Sequence, residues 1–211
     1  MSKELILVLG GARSGKSDFA LKLAQEAGGR LLYVATAQPG DEEMRCRIAR
    51  HRRARSRSWR LLEEPLAIGA ALAPLLDDAD IVLIDCLTIW VSNLLLSALP
   101  GGIVGGPVEA AAAERVVDEA IDALLQSYGD GTASLIVVSN EVGLGLVPEH
   151  PLGRLFRDAL GRANQRVAAQ ADKVYLLVAG MAVDVCAFRR AAGPCRGSSL
   201  GTNDRGVCKW R

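Results

Sequence analysis

Aromatic residues, histidine, paired cysteines and net charge are all scarce in this chain, and each shortage narrows what it can be. Phe, Trp and Tyr make up only 4% of the 211 residues. No repeated aromatic platform therefore accompanies the chain's one basic segment, as single-strand nucleic-acid binding would require. A formal charge of +1 predicts no general attraction to nucleic acid or to a membrane surface. The five cysteines, Cys46, Cys86, Cys186, Cys195 and Cys208, are odd in number and form no C-x-x-C pair. That argues against a disulfide framework or a zinc site and for ordinary reduced thiols. No apolar run approaches the roughly 20 residues of a membrane helix. Lys3 and Glu4 precede a short apolar run that ends at glycine, so no signal peptide is read there. The expectation is a cytoplasmic protein without a membrane span. With 50% hydrophobic residues, the chain can bury a substantial core, and its length fits one domain better than two.

What is present starts near the beginning. The apolar run Leu5-Ile-Leu-Val-Leu9 leads into Gly10-Gly-Ala-Arg-Ser-Gly-Lys-Ser17, which has the spacing of a P-loop: Gly10, four residues, Gly15, Lys16 and Ser17. A loop that wraps phosphate with its N–H groups needs glycine for its backbone path, and needs a helix to start at once so that its N-terminal dipole faces the anion. Residues 16 to 27 supply that helix, with Phe19, Ala20, Leu23, Ala24 and Ala27 at helical spacing. Gly10, Gly11, Ala12, Arg13, Ser14, Gly15, Lys16 and Ser17 are thus candidate nucleotide ligands. Lys16 is placed to reach the β- and γ-phosphates, and the Ser17 hydroxyl to bind Mg²⁺.

Further apolar runs rich in β-branched residues fall at 31 to 35, 80 to 84, 134 to 138 and 173 to 178, with helical patterns between them. Strands apolar on both faces, alternating with helices, predict a P-loop NTPase-like α/β fold: a mostly parallel sheet covered by helices on both sides. Ligands of such sheets bind at the carboxyl ends of the strands, where Gly10, Thr36, Asp85 and Asn140 should gather. The run Ile81-Val-Leu-Ile-Asp85 resembles a Walker B strand whose terminal carboxylate binds Mg²⁺ directly or through water. Asn140 and Glu141 follow a strand in the same crevice and suit either a ligand or a loop-stabilising polar pair. Pro100 to Pro107, with Gly101, Gly102, Gly105 and Gly106, reads as a loop before an alanine-rich helix at about 108 to 127.

Residues 45 to 60 hold eight arginines and His51. Asp41, Glu42, Glu43, Glu63 and Glu64 flank the run and Trp59 is its only ring, which weighs against nucleic acid; a solvated helix face is the plain alternative. The sharper reading places the arginines around a triphosphate with His51 acting on it. A neutral imidazole is a good nucleophile toward phosphorus, and guanidinium groups beside it favour the neutral form while stabilising transition-state charge.

Taken in order, several motifs resemble one family. They are Gly10 to Ser17; Tyr33-Val-Ala-Thr-Ala-Gln38; Asp41-Glu-Glu-Met44 with Arg47-Ile48 and His51; and Trp59 with Glu63. Then come Asp85-Cys-Leu-Thr88 with Asn93-Leu-Leu95; Ser139-Asn-Glu-Val-Gly143 with Gly145 and Val147-Pro148; and Phe156-Arg-Asp158, Gly161-Arg162, Asn164-Gln165 and Ala171-Asp172. The set, spanning about residues 4 to 184, is similar to the bifunctional adenosylcobinamide kinase and adenosylcobinamide-phosphate guanylyltransferase family of cobalamin biosynthesis. The resemblance implies two reactions. Adenosylcobinamide first takes the γ-phosphate of ATP or GTP on its aminopropanol hydroxyl. GTP then donates GMP to a histidine, matched here by His51, and the phosphoramidate passes GMP to adenosylcobinamide phosphate. Some relatives carry twin histidines; here the pair is Arg50 and His51. The resemblance also implies nucleotide contacts from Thr36, Ala37, Gln38, Arg52, Arg53, Ala54, Arg55, Glu63 and Asp85, with Glu63 suited to guanine N1–H and N2–H₂, and a homotrimer.

The family pattern closes near Asp184, so one domain over 1 to 185 is expected. Residues 186 to 211 lack periodicity and read as a frayed tail. His150, between Glu149 and Pro151, reads as incidental. A P-loop kinase for another small alcohol, with no covalent nucleotide, is the competing reading, followed by a nucleotide-dependent switch or nucleic-acid binder using the arginine run.

Overall fold

The structure is a computed structural model describing residues 2–38, 40, 42, 45, 46, 49 and 59–188. His51, Arg52, Arg53, Ala54, Arg55 and the tail beyond residue 188 lie outside the described residues.

Five apolar runs form the inner strands of one sheet: β1 (Leu5–Gly10), β2 (Leu31–Ala35), β4 (Ile81–Asp85), β5 (Ser134–Asn140) and β6 (Lys173–Val178). Two short edge strands complete it, β3 (Arg60–Glu63) and β7 (Met181–Asp184). The order is β3-β2-β4-β5-β1-β6-β7. All pairings are parallel except β6 with β7. The edge strands escape a reading of apolar runs because they are largely exposed: a four-residue edge strand has no continuous buried face to imprint on its sequence.

Alternate residues along each strand feed two separate cores. Leu5, Leu7, Val82, Ile84, Leu135 and Val137 face one side. There they meet α2 (Ile68–Leu72), α3 (Leu87–Ala98), α4 (Pro107–Asp130) and α5 (Pro151–Gln170). Val8, Tyr33, Ile81, Leu83, Ile136 and Val138 face the other, which is covered by α1 (Lys16–Ala27) through Ala20, Leu21 and Ala24. The expected helices on both faces are therefore present, α2 to α5 on one side and α1 on the other. The stretch after Pro100 holds a short 3₁₀ turn at Pro100–Gly102. No helix among the described residues is long and apolar enough to cross a membrane.

Candidate active site

The loop between β1 and α1 is shaped by its glycines. Gly15 has φ 90° and Arg13 φ 57°, two left-handed turns that carry the chain around a concave backbone path. A Cβ on Gly10 would stand 2.4 Å from Ser14 Oγ and 2.8 Å from the Leu177 carbonyl oxygen. The turn joining β6 to β7 braces the loop from outside, Gly180 N–H donating to the Ser14 carbonyl at 2.9 Å. Helix α1 then starts with no side-chain cap, leaving its first N–H groups and its dipole to an anion. Lys16 folds back over the loop, its Nζ donating to the Gly11 carbonyl at 3.0 Å.

Strand alternation brings the partners of this loop to the α1 side. Leu83 faces α1, so Asp85, two residues on, does too. Its Oδ1 lies 3.4 Å from Ser17 Oγ, and the Tyr33 hydroxyl donates to its Oδ2 at 2.8 Å. By the same alternation Asn140 follows Val138, and Glu63, one step from the oppositely facing Leu62, shares the α1 side. Register sets Glu63, Ala35 and Asp85 at one level across three adjacent strands, with Asn140 level with Gly10. The crevice thus runs from the loop past Asn140 and Asp85 to Glu63.

The donor set suits Mg²⁺. A hydroxyl and a carboxylate converge within a hydrogen bond of each other beside the phosphate loop, both hard oxygen ligands, and a Mg²⁺ so held keeps most of its shell for water and phosphate oxygens. Among the described residues no group of three His, Cys, Asp or Glu side chains is arranged to hold a metal by itself.

The family's sequence pattern, described as cobinamide kinase / cobinamide phosphate guanyltransferase, matches residues 6–185. The chain belongs to that family. It is 45% identical over 175 residues to the bifunctional adenosylcobalamin biosynthesis protein CobP of Pseudomonas aeruginosa, covering 83% of this chain and 93% of that one. It is also 45% identical over 185 residues to CobU of Salmonella typhimurium, covering 86% of this chain and 99% of that one. With CobU of Escherichia coli it shares 38% over 181 residues, again 86% and 99%.

Within this cobinamide kinase and guanyltransferase fold, the sequence-assigned residues divide into groups. Gly10 to Ser17 and Asp85 come together as expected. Glu63 stands at the far end of the crevice, on the edge strand. Thr36 is brought to the crevice wall, but its side chain is fully buried and committed: Oγ1 accepts from Cys86 N–H at 3.0 Å and donates to the Cys86 carbonyl at 2.9 Å. Its hydroxyl clamps β2 to the end of β4, across an Asp85–Cys86 peptide bond that is cis. Ala37 is half-buried and Gln38 exposed beyond it. Burial, with the Asp85 charge adding, pushes the Cys86 thiol up to about 11, which disfavours its thiolate.

Other residues have a part that their motifs alone do not announce. Asn93 Nδ2 donates to the Thr36 and Pro65 carbonyls at 2.8 and 3.2 Å, tying the ends of β2 and β3 to α3. Ser139 Oγ donates to Asn164 Oδ1 at 2.6 Å, and Asn164 Nδ2 to the Asn140 carbonyl at 3.1 Å. Thr88 Oγ1 accepts from Asn140 N–H at 2.8 Å. The sequence holds no signal for these bonds, since each joins residues brought near only by sheet order.

Two outcomes follow from packing. Gly10→Ala drives a methyl into Ser14 Oγ and the Leu177 carbonyl. It is expected to cost about 1–3 kcal/mol in stability and to weaken GTP binding at least about tenfold, read by thermal unfolding and calorimetry. Asn164→Leu strands the fully buried Ser139 hydroxyl and the Asn140 carbonyl. A loss of about 2–4 kcal/mol is expected in urea unfolding, and a midpoint equal to wild type would refute it.

Proposed function

We propose that one crevice serves both activities of the family, phosphorylating adenosylcobinamide with ATP or GTP and then forming adenosylcobinamide-GDP from adenosylcobinamide phosphate and GTP. The observation that carries this is the convergence of Ser17 and Asp85 at the mouth of the P-loop, beside an uncapped helix start. In the kinase step the loop holds the γ-phosphate for attack by the terminal hydroxyl of the substrate. In the guanylyl step the same loop holds the departing pyrophosphate while His51 attacks the α-phosphorus in line, and the covalent intermediate divides one difficult transfer into two easier ones.

Lys16 contributes a positive charge to the β- and γ-phosphates in both steps, and the N–H groups of Gly11 to Ser17 bind phosphate oxygens. Ser17 and Asp85 would hold Mg²⁺, which when bound neutralises charge on the phosphate oxygens. Tyr33 orients the Asp85 carboxylate by donating to Oδ2. Arg52, Arg53, Ala54 and Arg55 follow the nucleophile in sequence and line the nucleotide, as do backbone groups of Thr36, Ala37 and Gln38. Glu63 accepts from guanine, which accounts for the need for GTP in the second reaction. We place the machinery in one domain over 1 to 185 of a cytoplasmic homotrimer that acts without nucleic acid, and read residues 186 to 211 as an appendage.

The test uses the full chain with Mg²⁺ and two labels. GTP labelled at the α-phosphorus should leave acid-labile, alkali-stable label on the denatured protein. ATP labelled at the γ-phosphorus should label adenosylcobinamide. Absence of protein-bound label from GTP, with GTP binding confirmed, overturns the covalent route.

A further inference from the structure

We propose that the side-chain amide of Asn140 aligns the acceptor hydroxyl with the γ-phosphorus in the kinase half of the reaction. This rests on the reading above, in which the γ-phosphate occupies the loop.

Position comes first. Asn140 ends β5, the strand lying between β1 with its P-loop and β4 with Asp85. It pairs in register with Gly10, two residues beyond the level at which Asp85 pairs with Val138. Its side chain points to the α1 side, as Ile136 and Val138 do. A γ-phosphate held by the loop would meet this amide on its outer flank.

The backbone of Asn140 is anchored by other residues. Its N–H goes to Thr88 Oγ1 at 2.8 Å, and its carbonyl accepts from Asn164 Nδ2 at 3.1 Å. The next N–H, of Glu141, donates to the Gly10 carbonyl at 3.2 Å. None of these bonds uses the Asn140 side chain. Its Oδ1 is screened from solvent and has no hydrogen-bond partner among the described residues. Such an orphaned acceptor destabilises the fold unless a ligand supplies a donor. Glu141 is the contrast: its carboxylate accepts from Gly143 N–H and serves the loop. Of the polar pair in the sequence, one member stabilises the turn and the other is left for a ligand.

Chemistry selects the ligand. Phosphoryl oxygens only accept, whereas an incoming alcohol brings an O–H donor. A primary amide meets both without a charge, Nδ2 donating to a γ-phosphoryl oxygen and Oδ1 accepting from the hydroxyl. The hydroxyl oxygen forms the new bond to the γ-phosphorus as the bond from the γ-phosphorus to the β,γ-bridging oxygen breaks, its electron pair leaving on ADP. The hydroxyl proton passes to a phosphoryl oxygen and then to solvent. Asn140 takes no proton; it fixes the line of attack. Attack by His51 on GTP involves no hydroxyl, so Asn140 is not needed there.

The experiment compares Asn140→Ala and the uncharged, similarly sized Asn140→Leu with wild type in both half-reactions. For the kinase reaction, kcat should fall about 10²-fold in each variant. The KM for ATP and the rate of guanylyl labelling should stay within about threefold of wild type. Retained labelling also shows that each variant is folded. Equal losses in both half-reactions, a change confined to the KM for ATP, or an unchanged kinase kcat would each overturn the role of Asn140 alone. A wild-type chain that takes up guanylyl label but phosphorylates no adenosylcobinamide would overturn the kinase reading and this role with it.

Discussion

His51→Ala is expected to lose guanylyl transfer by at least about 10³-fold, because no other group replaces the attacking nitrogen. Adenosylcobinamide phosphorylation by the same protein should stay within about threefold of wild type. The argument is chemical. Of the two histidines in the chain, His51 sits among arginines in the sequence and is the proposed nucleophile. The other, His150, sits at the N-cap position of α5 with no side-chain capping bond and lines an apolar pocket with Leu95, Leu96, Leu152 and Phe156, outside the P-loop crevice. Covalent capture of GMP requires a nucleophile that survives as a leaving group, which imidazole does and an arginine does not. Protein-bound label from α-labelled GTP should therefore vanish in His51→Ala and persist in a His150→Ala control. Label persisting in His51→Ala would move the nucleophile elsewhere.

Lys16→Ala should instead depress both half-reactions, each by about 10²–10³-fold, the scale on which loss of one preorganised charge at a transferring phosphoryl group is felt. The lysine opens α1, where the helix dipole already favours phosphate, and its ammonium group reaches back over the loop to the Gly11 carbonyl. In the proposed mechanism a bound triphosphate takes the place of that carbonyl as acceptor, and the same charge then faces a transferring γ-phosphoryl in one reaction and a departing pyrophosphate in the other. Stability should change little, since the hydrogen bond to Gly11 is exposed and water replaces it. The measurement is kcat in both assays with a thermal melt of each protein. Loss of only one activity would mean that the two reactions use separate phosphate sites. Together with Asn140, the variants form a discriminating set: His51 touches one half-reaction, Asn140 the other, Lys16 both.

Much of this was legible before any fold was drawn, and the parts that were not share a cause. The ends of β2 and β6 and of helix α1 fall where the apolar pattern puts them: β2 is buried throughout, while β6 and α1 each bury only part of their length and still carry apolar residues at the spacing of their element. Strands β3 and β7 do not, because they are short and exposed at the sheet edges. Thr36 was expected at the nucleotide and does reach the crevice, yet its hydroxyl is spent on Cys86, a partner 50 residues away. For Asn140 and Glu141 the sequence left a ligand role and a loop role open to both. The side chains separate the two: the Glu141 carboxylate accepts from Gly143 N–H, while Asn140 Oδ1 has no hydrogen-bond partner among the described residues.

By itself the sequence determined the α/β class, the family, the phosphate loop and the candidate nucleophile. Each depends on residue types at fixed short spacing, and a strand, a glycine turn and a helix that follow one another are contiguous in the chain. Only the tertiary structure decided which groups stand together. Ser17 meets Asp85 across 68 residues and Tyr33 meets it across 52, because packing of apolar faces sets the strand order and the register then places each terminal side chain. Asn140 stands on the α1 face of the sheet for the same reason: Val138 beneath it must face α1, and a strand returns to the same face every second residue.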